Sequence, residues 1–186
     1  MWNHVEAVAR EIFRTYNYHE IRTPILEDTQ LFARGVGAET DIVTKEMYTF
    51  QDHDDSVTMR PENTAGVIRA YIEHRLDQIS GTQKLYYIGP MFRRERPQKG
   101  RYRQFYQVGA EFFGVTDATA DVELLCLLRD LCASLGLSDV QLKINTLGDG
   151  DSRAAYRQLL GDYLSARQNE LCANCASHHH LSSPRV

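Results

Sequence analysis

Residues 92–114, FRRERPQKGRYRQFYQVGAEFFG, constrain the fold of this 186-residue chain more than any other stretch. LYYIGPMF precedes the basic run and QFYQVGAEFF follows it; both are rich in aromatic and β-branched residues, and Gly100 lies between them. The pattern predicts a hairpin of two long strands with an extended tip. Arg93, Arg94, Arg96, Lys99, Arg101 and Arg103 against Glu95 give that tip a charge of +5 in a protein whose formal total is -4, so the rest of the chain sums to -9. Such a local inversion of sign suits an anionic ligand rather than a general affinity for nucleic acid.

Side chains alternate between faces along a strand. Gln107, Gly109 and Glu111 therefore share one face, and Tyr106, Val108, Ala110 and Phe112 share the other, which reads as core. Met91, Arg93 and Glu95 alternate in the same way against Phe92 and Arg94. A face carrying Arg, Gln and Glu, with a glycine gap between the last two, has room for a small polar ligand. A half-buried sheet with a solvated face and an ordinary charged turn is the competing reading.

Elsewhere Trp2, Val5, Val8, Ile12 and Phe13 recur at helical spacing up to Asn17, and Asp28 is placed to cap a short helix that closes at Gly35 or Gly37. MYTFQD and SVTMR alternate around residues 53–55 as a second hairpin. A helix after Pro61 is marked by Val67, Ile68, Tyr71 and Ile72. A longer one carries Val122, Leu125, Leu128, Leu131 and Leu135 and stops at Gly136. QLKINTL reads as a strand and residues 154–171 as a last helix. Strands joined by hairpins more often than by crossover helices make an α+β fold, a mainly antiparallel sheet flanked by helices, in one domain spanning 1–186. No glycine-rich phosphate loop of the Rossmann or Walker type is present, so a bound nucleotide would lie on the sheet.

Arg60-Pro61-Glu62-Asn63-Thr64-Ala65-Gly66 joins a strand end to a helix start. A carboxylate and a hydroxyl there can hold an ammonium group, or they can simply cap the helix. Cys172-Ala-Asn-Cys175 followed by His178, His179 and His180 has zinc-ligand residue types. Three adjacent histidines cannot all face one ion, so a solvated turn is the default and zinc on Cys172 and Cys175 the alternative.

A hydrophobic content of 42% with 25% charged residues is that of an ordinary globular protein, and no apolar run approaches the roughly 20 residues that span a bilayer. The first residues, MWNHVEAVAREIF, are too polar for a signal peptide, so a cytoplasmic location is expected, with no membrane contact and with reduced thiols.

FRRERPQKGRYRQF resembles motif 2 of the class II aminoacyl-tRNA synthetases in the form found in the histidyl-tRNA synthetase family. YNYHEIRTPILE (residues 16–27) is similar to motif 1, with Pro24 as its proline and Asn17 where glycine is frequent, a position that αL-tolerant Asn can fill. TDIVTKEMYTF and TMRPENTAG resemble the segments that build the amino-acid pocket. The resemblance is strongest from Thr40 to Gly114 and fades after about Gly148.

The resemblance implies a class II synthetase-like catalytic core that activates histidine with ATP and transfers it to tRNA(His). Glu62, Asn63, Thr64, Arg93, Gln107 and Glu111 would bind histidine, Glu111 facing the imidazole, whose ring N–H groups suit a carboxylate. Arg93, Glu95, Arg101 and Phe105 would bind ATP, with Arg93 the catalytic arginine and Phe105 stacking on adenine. Magnesium would bridge the phosphates with no protein ligand identifiable. Arg94, Arg96 and Arg103 would serve loop structure or the tRNA acceptor end. Motif 1, with Ile21, Pro24, Ile25 and Leu26, would form a homodimer interface. Motif 3, a second catalytic arginine, a pocket tyrosine and an anticodon-binding domain are expected beyond Val186, so the chain reads as part of a longer catalytic domain, incomplete for catalysis. The alternative in a different class is a synthetase-like regulatory or sensor protein, such as a histidine-binding regulatory subunit of ATP phosphoribosyltransferase; the set Arg93, Glu95, Arg101 and Phe105 favours the enzyme.

Overall fold

A computed structural model describes residues 1–36, 46–79, 81–95, 98–145 and 148–172. The chain divides near Val140, into residues 1–140 and 141–186, where the sequence suggested one domain. The first unit holds the hairpin. Strands β5 (Gln83–Phe92) and β6 (Gln104–Phe113) pair antiparallel over their whole length, Gln83 opposite Phe113 and Phe92 opposite Gln104. The short β1 (His19–Glu20) joins the free edge of β5 in parallel, so the motif 1 stretch lies at the rim of this sheet. A second, antiparallel sheet places β4 (Asp55–Met59) between β2 (Leu26–Asp28) and β3 (Tyr48–Asp52).

Two helices cover one face of the long hairpin. Helix α1 (Trp2–Thr15) contributes Ala9 and Phe13, and α4 (Thr119–Ser134) contributes Leu127 with Leu124 and Leu131, all against Tyr18, Tyr86, Ile88 and Ala110. Phe13 stacks on Tyr86 with ring centroids 4.2 Å apart, an arrangement worth about 0.5–1.5 kcal/mol beyond burial. This face is less fully core than the alternation suggested: Tyr106 and Val108 are exposed, and Tyr106 meets the exposed Trp2 ring at 5.0 Å. The stripe expected for α4 is buried only in part: Leu131 packs inward, while Val122 and Leu128 face solvent. A helix with leucines on several faces offers more than one apolar stripe, and packing against α1 selects that of Leu124, Leu127 and Leu131.

The opposite face of the hairpin receives α3 (Thr64–Glu73), whose Val67 packs on Leu85, Tyr87 and Met91 and whose Tyr71 stacks on Phe113 at 4.2 Å. The helix is where the sequence placed it, but its buried side is Ala65, Gly66, Val67 and Ala70, leaving Ile68 and Ile72 exposed. Helix α2 (Thr29–Val36) begins as expected at Asp28, which accepts from the Gln30 amide at 2.7 Å, and its Phe32 is wholly buried.

In the second unit, α5 (Gly150–Ser165) starts from a reciprocal capping box between Asp149 and Ser152 and is followed by a 3-10 turn, Gln168–Glu170. The strand expected for QLKINTL does not form over residues 141–145, which take no strand geometry and leave Leu142 and Ile144 exposed. Alternation supplies a strand's faces but not its hydrogen-bonding neighbour. Residues 146–147 of that segment lie outside the described residues, as do Gly37, Thr40, Arg96, Cys175 and His178 to His180.

Helix α1 ends in a Schellman turn: Tyr18 N–H donates to Phe13 O at 2.8 Å, Asn17 N–H to Arg14 O at 3.1 Å, and Asn17 takes φ +61°. The left-handed geometry that asparagine tolerates is therefore used here. Replacing Asn17 by Gly should raise the thermal midpoint measured by scanning calorimetry, by no more than the roughly 2–4 °C that 1 kcal/mol confers at this size, while Asn17→Val should lower it.

Candidate active site

The face of the hairpin not covered by α1 and α4 carries Leu85, Tyr87, Gly89 and Met91 on β5 opposite Glu111, Gly109, Gln107 and Phe105 on β6. Helix α3 covers one end of it. The remainder, bounded by the start of α3 and the root of the basic tip, collects most of the side chains expected from sequence.

At the α3 boundary, Glu62 accepts from the amides of Thr64 at 2.6 Å and Ala65 at 3.1 Å, so one carboxylate ties off the first N–H groups of the helix. Helix capping, one of the two readings of this segment, is thus realised, but by Glu62. Asn63, at the N-cap position, makes no such bond. The Thr64 hydroxyl donates to Glu111 Oε1 at 2.7 Å, bridging the helix start to β6. Burial pushes the Glu111 carboxyl above its ordinary range, the Thr64 bond pulls it partly back, and the nearby Glu62 charge raises it again. Two carboxylates and a hydroxyl therefore share one half-buried corner.

Tyr87 lies in the same corner. Burial raises its hydroxyl pKa, and hydrogen bonding with Thr64 opposes that rise. The expected glycine gap in β6 is not open: a Cβ on Gly109 would come within 2.3 Å of the Tyr87 ring, so the space of the missing side chain is taken by the hydroxyl end of that ring. Gln107 sits one step along, its Oε1 buried without a protein hydrogen bond.

Asn63 falls on the far side of the α3 start. It is 1% exposed, and its Oδ1 accepts from Thr23 Oγ1 at 2.5 Å and from Arg60 Nη1 at 3.3 Å. Its Oδ1 is thus taken by the protein, while its buried Nδ2 has no hydrogen-bond partner among the described residues.

At the other end, Arg93 donates from Nε to Pro61 O at 2.9 Å, and its guanidinium lies over the Phe105 ring at 5.1 Å. One face of that ring is thus already shared with an arginine. Glu95 stands between Arg93 Nη1 at 3.9 Å and Arg101 Nη1 at 3.3 Å, and Arg101 is mostly exposed. The tip folds back through mutual Gln98–Arg101 backbone bonds, and Arg93 N–H donates to Arg103 O at 2.9 Å.

Cys172 is exposed, and among the described residues no group of three or more His, Cys, Asp or Glu side chains is placed to hold a metal. No helix among them is long and apolar enough to cross a membrane. Arg60 and Tyr87 are the participants that the sequence reading passed over. Their signals were present: Arg60 precedes the Pro-Glu-Asn-Thr segment directly, and Tyr87 pairs with Gly109 in the hairpin register.

The chain superposes on the crystal structure of apo S. aureus histidyl-tRNA synthetase with a TM-score of 0.72 at 42% identity, covering 97% of this chain and 42% of that one. A Bacillus halodurans protein described as an ATP phosphoribosyltransferase regulatory subunit/histidyl-tRNA synthetase matches with a TM-score of 0.67, covering 95% of this chain and 49% of that one, and at 20% identity it shares the fold alone. The fold is that of a class II aminoacyl-tRNA synthetase catalytic core. The model of the histidyl-tRNA synthetase family matches residues 2–149, and the histidine–tRNA ligase of Solibacter usitatus (strain Ellin6076) is 62% identical over 176 residues, 94% of this chain and 42% of the relative. The chain belongs to the histidyl-tRNA synthetase family, and it spans 42% of the length of that curated relative.

The raised Glu111 pKa has a thermodynamic consequence. A carboxyl whose folded-state pKa exceeds its unfolded value holds its proton longer when folded, so stability falls as pH rises through the window between the two. Glu111→Gln, which keeps an acceptor for Thr64 but carries no charge, should therefore raise the thermal midpoint at pH 7. The gain should vanish below the ordinary carboxylate range, as read by denaturation at several pH values.

Proposed function

We propose that this chain carries the histidine- and ATP-binding part of a histidine–tRNA ligase, which activates histidine as histidyl-adenylate and transfers it to tRNA(His). The observation that carries the reading is the Thr64–Glu111 hydrogen bond with Glu62 beside it, a negative corner on a sheet whose other end presents Arg93. Histidine has the complementary layout, an ammonium and ring N–H donors for the acidic corner and a carboxylate for the arginine. Glu62, Thr64 and Gln107 would take the ammonium, the unbonded Gln107 Oε1 offering an acceptor, and Glu111 would face the imidazole. Asn63 would hold the wall through its Oδ1.

Activation requires a histidine carboxylate oxygen to attack the α-phosphorus of ATP while pyrophosphate leaves. Both reactants are anions there, and Arg93 would neutralise them together and hold them in line. Its Nε is occupied by Pro61 O, which leaves the Nη groups to point at ligands. Phe105 would supply the face for adenine, worth on the order of 1–3 kcal/mol, with Glu95 at the base edge and Arg101 on the outer phosphates. Magnesium would arrive on the ATP phosphates and supply further charge neutralisation. Sequence identity to named ligases supports the enzyme over a regulatory subunit, whose likeness extends to fold only. A cytoplasmic site of action follows from the substrates proposed.

For assembly, we propose a homodimer through the motif 1 stretch. Ile21 turns inward onto the α3 side of the core, while Pro24, Ile25 and Leu26 remain exposed beside the rim strand β1. Sedimentation equilibrium of the full-length protein should give twice the monomer mass, and Ile25→Glu should shift it toward monomer.

Arg93→Ala in the full-length protein should slow histidine-dependent ATP–pyrophosphate exchange by about 10²–10³-fold, the loss expected when one preorganised transition-state contact worth about 3–4 kcal/mol is removed. Unchanged exchange would exclude Arg93 from the reaction.

A further inference from the structure

Arg60 is 7% exposed, yet among the described residues none of its hydrogen bonds reaches a carboxylate. Its Nε donates to Pro90 O at 3.0 Å, and Nη1 donates to Thr23 O at 3.0 Å, Thr23 Oγ1 at 3.1 Å and Asn63 Oδ1 at 3.3 Å. Nη2 occupies the space over Gly89, where a Cβ would stand 2.5 Å away. The backbone of Arg60 adds two more ties, its N–H to Ile25 O at 2.9 Å and its carbonyl from Phe92 N–H at 3.0 Å. Burial lowers its pKa from the ordinary arginine value. The Glu27 carboxylate, ion-paired with Arg69 at 2.8 Å, and Tyr87 offset that only in part, without a hydrogen bond to Arg60. A buried cation hydrogen-bonded only to uncharged oxygens is an expensive way to fill a core, since an apolar side chain of similar volume is often as stabilising. Its placement therefore calls for a reason beyond stability.

The neighbouring residue supplies that reason. Pro61 O accepts from Arg93 Nε at 2.9 Å, and Glu62 follows with the carboxylate that caps α3. The guanidinium of Arg60 thus clamps the backbone that aims Arg93, gripping the motif 1 stretch at Thr23 on one side and β5 at Pro90 on the other. We propose that Arg60 is a positioning residue for histidine activation, acting through the Pro61 carbonyl on the orientation of Arg93. The inference rests on the reading of Arg93 as the arginine that meets the reacting anions. A planar fork is required because its donors diverge toward Pro90 and Thr23, whereas a lysine ammonium on a flexible stem reaches one or the other. Misplacing a reacting group by about 1 Å can cost about 10²-fold in rate.

Two variants of the full-length protein test the clamp from opposite sides. Arg60→Lys removes the fork, and Gly89→Ala keeps Arg60 but puts a methyl group where Nη2 lies. Each should lower kcat for ATP–pyrophosphate exchange by about 10²-fold while KM for histidine and ATP changes less than about threefold. Gly89→Ala serves alone if Arg60→Lys does not fold. In an Arg93→Ala background either variant should add less than about threefold, because groups acting through one another are not additive. Wild-type kcat with only a lower thermal midpoint would overturn the proposal, and so would losses that multiply independently of Arg93. Full activity of Arg93→Ala itself would instead overturn the underlying reading of the site, so the two failures are distinguishable.

Discussion

Two glycines in the central hairpin decide what can lie on its open face. Gly89 and Gly109 sit on adjacent strands, and the space of each missing Cβ is taken by another side chain, Nη2 of Arg60 at one and the hydroxyl end of the Tyr87 ring at the other. Any larger residue at either position would displace that side chain. The consequences spread outward from there. With Nη2 tucked over Gly89, Arg60 bonds Pro90 and Thr23 at once, which ties the 60–62 backbone to β5 and to the stretch before β2. Tyr87, packed over Gly109, lies beside the Thr64–Glu111 bond that closes the corner. A close approach that only glycine permits thus sets the depth of the site and the height of its walls.

Much of this was legible in the sequence because it is encoded locally. The long hairpin announces itself through alternation and a glycine-bearing tip, α1 through its period, and the ends of α1 and α4 through Asn17 and Gly136, both of which adopt positive φ. Strand alternation places Gln107 and Glu111 on one face, and the strand-to-helix junction ties Thr64 to Glu111 at one end and Pro61 to Arg93 at the other. What was not legible depends on neighbours that no local pattern names. The gap at Gly109 reads as room for a ligand until the cross-strand register puts Tyr87 opposite it. Asn63 looks like a cap or a ligand group, yet its exposure is settled by Thr23, which lies 40 residues earlier. QLKINTL alternates like a strand, yet its described residues 141–145 adopt no strand geometry.

The basic tip and the acidic corner divide the electrostatic work. At the tip, Glu95 is flanked by Arg93 and Arg101, so part of the positive charge is balanced before any anion arrives and the arginines are held apart in defined directions. The Arg101 end of this group is exposed, and an exposed pair contributes little to stability, typically under about 1 kcal/mol. Their effect is geometric: a partly neutralised arginine stays extended where an unpaired one would sample many rotamers.

In the corner the imbalance runs the other way. Glu62 has spent its oxygens on the α3 amides, so its charge is partly met, while Glu111 has one hydroxyl and a desolvated setting and is pushed toward the protonated form. A ligand cation entering between them would supply the missing charge and draw the Glu111 pKa back down. Under the proposed function, binding of histidine would therefore release a proton near the upper edge of the Glu111 titration. The same desolvation that costs stability without ligand would make each hydrogen bond to the ligand stronger once it is bound. The glycine-dependent packing that buries this corner is thus also what gives it affinity, which ties the close approach at Gly109 to the choice of a cationic guest.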